Sequence, residues 1–76
     1  MNAPSTLPQA LRARRTQLRL DQRNLAEIAG ISPHSLSDIE SGKGNPTLRT
    51  LTRLCDALGL EISLRVREPA SQLETP

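Results

Sequence analysis

The tightest constraint in this sequence is a single short break, Gly30-Ile31-Ser32-Pro33, set between two stretches of helical periodicity. Before the break, Asp21 can cap a helix over 22–29 whose apolar positions are Leu25, Ala26, Ile28 and Ala29. Gly30 suits the left-handed turn that ends such a helix. After the break, Ser32 can cap and Pro33 fits a first helical position, where a missing N–H costs nothing. Leu36 and Ile39 follow at helical spacing until Ser41-Gly42 stops the run, which predicts a helix over 33–40.

Two short helices joined by a glycine-containing turn of about three residues are the geometry of a helix-turn-helix motif. Upstream, Pro8 fits the first turn of a helix over 8–19 that carries Leu11 and Leu18 on one face. Downstream, the loop 42–46 leads to Thr47, a cap for a helix over 48–58. Leu48, Leu51, Leu54, Cys55 and Leu58 form its apolar stripe, and Gly59 ends it. The period then changes. Leu60, Ile62, Leu64 and Val66 alternate with Glu61, Ser63, Arg65 and Arg67, the two-residue repeat of a half-buried β-strand that Pro69 terminates.

A single strand cannot satisfy its own backbone groups, so it is expected to pair with the same strand of a second copy about a two-fold axis. Leu60, Ile62, Leu64 and Val66 would form that dimer interface, with Glu61 opposite Arg65 or Arg67. A tail packed on its own subunit is the weaker alternative, because it leaves those groups without partners. The expected fold is therefore mainly α, with four to five short helices and a C-terminal β-strand pairing across a homodimer. The expected divisions are a flexible arm at 1–6, a helix-turn-helix domain at 7–60, a dimerisation strand at 61–68 and a flexible tail at 69–76.

Composition narrows the function classes. Cys55 has no second cysteine for a disulfide, and with His34 as the sole histidine it cannot complete a four-ligand zinc site. No metal or other cofactor is expected. No apolar run is long enough for a membrane span, and the N-terminus lacks the pattern of a secretory signal, so a cytoplasmic protein with no membrane partner is expected. The net charge of +2 does not by itself point to nucleic acid, although the basic set is almost all Arg and suits phosphate contact. The absence of Phe, Trp and Tyr removes the stacking platforms of single-strand and RNA readers, leaving double-stranded DNA as the better candidate. Ser37, His34 and Asp38 include the residue types of a hydrolase triad, but one exposed helix supplies neither pocket nor oxyanion hole, so no enzyme is expected. Cys55 reads as a small core residue, and the Arg12, Arg14, Arg15 and Arg19 cluster mostly as a solvated helix face, with an extended DNA contact as the alternative.

From Leu11 to Leu60 the sequence resembles the lambda-repressor-like (Cro/C1, XRE) helix-turn-helix family. The resemblance is carried by Arg14-Arg15, Leu18, Leu20, Gln22, Leu25-Ala26, Gly30-Ile31-Ser32, Ser35-Leu36, Ile39-Glu40, Gly42-Lys43, Asn45-Pro46-Thr47-Leu48, Leu51, Leu54 and Ala57-Leu58-Gly59-Leu60. It implies that the start of the second helix rests on the DNA backbone and that the third helix enters the major groove. Gln22, Arg23, Ser32, Lys43 and Asn45 would then contact phosphates, and Pro33, His34, Ser35, Ser37 and Asp38 would face the bases. His34 could donate to guanine, while Asp38 either accepts from cytosine N4 or turns toward an Arg or His34. Arg15 and Glu40 match a structural salt bridge of the family that would hold the recognition helix in place.

The resemblance implies a homodimeric transcriptional repressor on an inverted-repeat operator, with recognition helices about 34 Å apart. The helix-rich core with a C-terminal strand is similar to HipB-like antitoxins, which implies autoregulation of an operon and binding of a HipA-like kinase toxin. Two other readings stay open: a stand-alone phage- or plasmid-type regulator, and a protein-interaction module that kept the fold without DNA binding.

Overall fold

The computed structural model describes residues 6–67. The expected arm, apart from Thr6, and the expected tail lie outside the described residues, as does the last position of the expected strand. Four helices are present: α1 Leu7–Gln17, α2 Gln22–Ala29, α3 Pro33–Glu40 and α4 Leu48–Leu58.

Each start follows from a capping side chain that accepts a backbone N–H which the first turn leaves unpaired. Thr6 accepts from the N–H of Gln9, Asp21 from Asn24, Ser32 from Ser35 and Thr47 from Thr50. Two of the ends use glycine where the backbone needs it. Gly30 and Gly59 take φ of 75° and 71°, and the next residue's N–H reaches back into the helix, Ile31 to Ala26 and Leu60 to Cys55. Ile31 and Leu60 are thereby folded against the core.

α1 stops at Gln17, two residues short of the expected end. Arg19 adopts φ of 60°, its N–H donating to the Thr16 carbonyl while the N–H of Leu20 returns to Arg15. This left-handed step turns Leu20 onto the core and leaves Leu18 40% exposed, the reverse of what periodicity suggested for Leu18.

The core lies where the four helices converge. Leu11, Leu25, Leu36, Leu54 and Leu58 are fully buried, with Ala26, Ala29, Ile39 and Cys55 beside them. α2 packs on α3 and α4, and α1 covers α3 and α4 from the other side. Arg14 fastens that cover by donating from Nε to the Leu58 carbonyl at 2.8 Å, at the end of α4 where a cation is favoured. Ile28 and Leu48, expected on apolar stripes, instead face outward at 60% and 67% exposure, because neither helix has a neighbour on that side among the described residues.

Residues 61–67 form neither helix nor β-ladder. A ladder needs a second row of backbone groups, and no described segment of the chain supplies one. Leu60, expected at the dimer interface, is partly buried against its own core, while Ile62, Leu64 and Val66 are exposed. No helix among the described residues is long and apolar enough to cross a membrane.

A candidate nucleic-acid interface on the third helix

α3 divides cleanly into an inner and an outer face. Leu36, Ile39 and Glu40 are buried, whereas Pro33, His34, Ser35 and Ser37 are exposed and Asp38 is half-exposed. The spacing of the inner residues along an α-helix requires the outer set to share the other side.

The outer face is flanked by two shallow hollows. One is lined by residues that include Ser35, Asp38, Lys43, Asn45 and Thr50. The other is lined by Arg12, Arg15, Gln22, Ser37, Glu40 and Ser41. Most of the sequence-predicted contact residues are thus gathered around α3: Gln22 beside Ser37, and Lys43 and Asn45 beside Ser35 and Asp38. Arg23 and Ser32 are exposed but line neither hollow.

The hydroxyl groups at the helix starts are arranged in relay. Ser32 Oγ accepts the Ser35 N–H at 3.0 Å and donates its own hydrogen to Ser35 Oγ at 2.9 Å. Thr47 treats Thr50 in the same way, accepting its N–H at 3.1 Å and donating to its Oγ1 at 3.1 Å. The Ser32 and Thr47 hydroxyls are therefore engaged within the chain as caps, each sharing a hydroxyl–hydroxyl hydrogen bond with Ser35 or Thr50. Sequence reasoning did not single out Thr50 or Ser41, and it read Arg12 within an arginine cluster taken mostly as a solvated helix face. The repeated spacing of Ser32 with Ser35 and Thr47 with Thr50 was a usable signal for Thr50; Arg12 and Ser41 reach the site only through packing.

Asp38 turns toward its own helix. Its Oδ2 lies 3.4 Å from His34 Nε2, one helical turn away, in a contact that is ionic when the imidazole is protonated. Of the two roles open to Asp38, this is the geometry of the inward pairing.

Behind the exposed face is a buried polar node. Glu40, 7% exposed, receives Arg15 Nε on Oε2 at 2.7 Å and Arg15 Nη2 on Oε1 at 3.0 Å, a two-pronged carboxylate–guanidinium pair. The remaining prong, Arg15 Nη1, donates to the Leu20 carbonyl at 2.7 Å. Gln22 Nε2 adds a third donor to Glu40, reaching Oε1 at 3.0 Å. No buried side-chain nitrogen or oxygen among the described residues lacks a hydrogen-bond partner. Cys55 takes no part in this surface; burial raises its thiol above the ordinary cysteine value, and the neighbouring Asp56 charge adds to the rise. No group of side chains that could hold a metal ion occurs among the described residues.

A helix-turn-helix family model matches residues 11–64. The immunity repressor protein of Bacillus phage phi105 is 41% identical over 63 residues, covering 83% of this chain and 44% of that protein. The chain spans less than half the length of the curated relatives it matches. Among solved structures, the P22 c2 repressor in complex with a synthetic operator superposes with a TM-score of 0.72 at 28% identity, covering 76% of this chain and 88% of that one. A chain of the HipA–HipB–O2–O3 complex gives a TM-score of 0.75 at 28% identity and covers 90% of this chain and 96% of that one. With four capped helices in this order and a match across the turn and both helices that flank it, the chain belongs to the XRE, or lambda-repressor-like, helix-turn-helix family.

Proposed function

We propose that the chain is a sequence-specific, double-stranded-DNA-binding transcriptional repressor. The observation that carries this reading is the division of α3, which buries Leu36, Ile39 and Glu40 and leaves His34, Ser35 and Ser37 outward between two polar hollows. A helix held from behind, with short polar side chains in front, suits the major groove. Pro33, His34, Ser35, Ser37 and Asp38 face the bases in this reading. Gln22, Arg23, Ser32, Lys43 and Asn45 lie toward the backbone, Ser32 through its helix start rather than its committed hydroxyl.

The protein acts as a homodimer on an inverted repeat. Support comes from the exposed alternation of Ile62, Leu64 and Val66, at 47%, 97% and 79% exposure, which a second copy could cover by strand pairing. Leu64→Pro is expected to yield a monomer in analytical ultracentrifugation, and a persistent dimer would reject that interface. The likeness to a chain of the HipA–HipB–O2–O3 complex favours the finer role of antitoxin, with a kinase-type toxin as second partner. Co-purification with the product of the adjacent gene tests it, and a neighbour that neither binds nor is restrained by this chain would remove it.

The experiment for DNA binding is selection from a random duplex library, followed by titration of the selected site at several salt concentrations. Enrichment of a two-fold symmetric sequence whose affinity falls steeply with salt is expected, since phosphate contacts release counterions. Failure to retain any duplex at low salt would leave the interaction-module reading in its place.

A further inference from the structure

Glu40 sits where three helices meet. Its Oε1 accepts both Arg15 Nη2 of α1 and Gln22 Nε2 at the first position of α2, each at 3.0 Å, while its own backbone closes α3. Arg15 is held in turn by Glu40 Oε2 and by the Leu20 carbonyl, so the carboxylate has no freedom to swing. A primary amide carries two N–H hydrogens and one carbonyl oxygen. Spending one hydrogen on Glu40 fixes which way the Gln22 amide is turned and leaves the other hydrogen to donate elsewhere, from a residue that lines the hollow shared with Arg12, Arg15, Ser37, Glu40 and Ser41.

We infer that Glu40 and Arg15 are positioning residues for DNA binding, acting through Gln22: the pair pre-sets the Gln22 amide to donate to a backbone phosphate in register with the outer face of α3. This rests on the DNA-binding reading above and goes beyond the pair's role in stabilising the fold. A Gln side chain free in solvent loses rotamer freedom when it binds, and one already held does not. The charge pattern also needs the node. An unpaired carboxylate next to an approaching phosphate would repel it, whereas here Arg15, which lines the same hollow, neutralises Glu40.

The test compares wild type, Gln22→Ala, the apolar pair Arg15→Met with Glu40→Leu, and all three substitutions together, on the selected duplex and by thermal melting. Replacing a buried ion pair by apolar residues of similar size often leaves stability near its starting value, so the pair can be removed while the fold is kept. Gln22→Ala and the apolar pair are each expected to weaken binding about tenfold, the equivalent of one hydrogen bond to a charged group, with the salt dependence unchanged, because a neutral amide displaces no counterion. The triple variant should bind no more weakly than either, because all three changes delete one interaction.

Losses that multiply to about a hundredfold in the triple variant would overturn the inference, as would an apolar pair that binds like wild type. Absence of duplex binding by wild type would overturn the DNA-binding reading and this inference with it. If the apolar pair does not fold, the wild-type chain still decides the matter by side-chain NMR relaxation before DNA is added. The Gln22 amide should be as rigid as the backbone, with an order parameter near ~0.85; a value below about 0.6 would show it is not pre-set.

Discussion

The two acids of α3, Asp38 and Glu40, are each paired with a base, and the two pairs differ in almost every physical respect. Arg15 and Glu40 meet at 2.7 Å with both side chains shielded from water, and the carboxylate has three donors. His34 and Asp38 meet at 3.4 Å with the imidazole almost wholly in solvent. In the DNA-binding reading proposed above, the difference separates holding from reading. A buried pair with its donors matched is costly to disturb. An exposed pair is held weakly by water-screened attraction, so its members can exchange that contact for a base edge at little cost. The side of α3 that is fixed is the one that makes the other side usable.

Breaking the buried pair should have the largest effect. Glu40→Ala strands the Arg15 guanidinium in the interior and is expected to cost about 3–5 kcal/mol of folding stability. Chemical denaturation measures this; a loss under about 1 kcal/mol would mean the node is solvated and the contrast with the outer pair is false.

The outer pair should answer in specificity instead. His34→Ala is expected to change the preferred base at one position by about 1–3 kcal/mol in discrimination, with stability altered by no more than about 0.5 kcal/mol. Binding-site selection with the variant and a thermal melt read the two quantities. Asp38→Asn sharpens the same comparison: if Asp38 pairs only with His34, the selected site should not change, and a lost cytosine preference would show that it reads the groove.

A smaller effect is expected at the start of the helix. Ser32→Ala removes the cap of α3 but no core contact, and should cost about 1 kcal/mol. Denaturation should show that loss, while Ser32→Asp, which can cap in the same way, should restore it.

How much of this was legible in the sequence depended on whether the signal was local. Asp21, Gly30, Ser32-Pro33, Thr47 and Gly59 each determine backbone within a few residues of themselves, and the bounds of α2, α3 and α4 follow from them. The end of α1 has no such marker, because the left-handed residue there is Arg19 rather than a glycine. Ile28 and Leu48 show the limit of periodicity: an apolar residue marks a candidate face, but only the neighbouring helices decide which face is covered. The split of α3 into inner and outer sides was readable from Leu36 and Ile39 alone. The Gln22 bond to Glu40 was not, since it joins residues 18 apart through a turn whose direction no local rule specifies. The alternation over 60–67 lies at the other extreme, plain in the sequence yet without a pairing partner among the described residues.

In the proposed reading, the outer face of α3, held by the Glu40 node, is the surface that meets DNA. Mapping backbone amide shifts of the labelled chain on addition of the selected duplex tests it most directly. The account predicts shifts centred on Pro33-flanking residues His34, Ser35, Ser37 and Asp38 and on Gln22, Lys43 and Asn45, with the outward side of α4 around Arg53 and Asp56 unchanged. Shifts centred on Ile28, Arg53 and Asp56, with α3 silent, would contradict it.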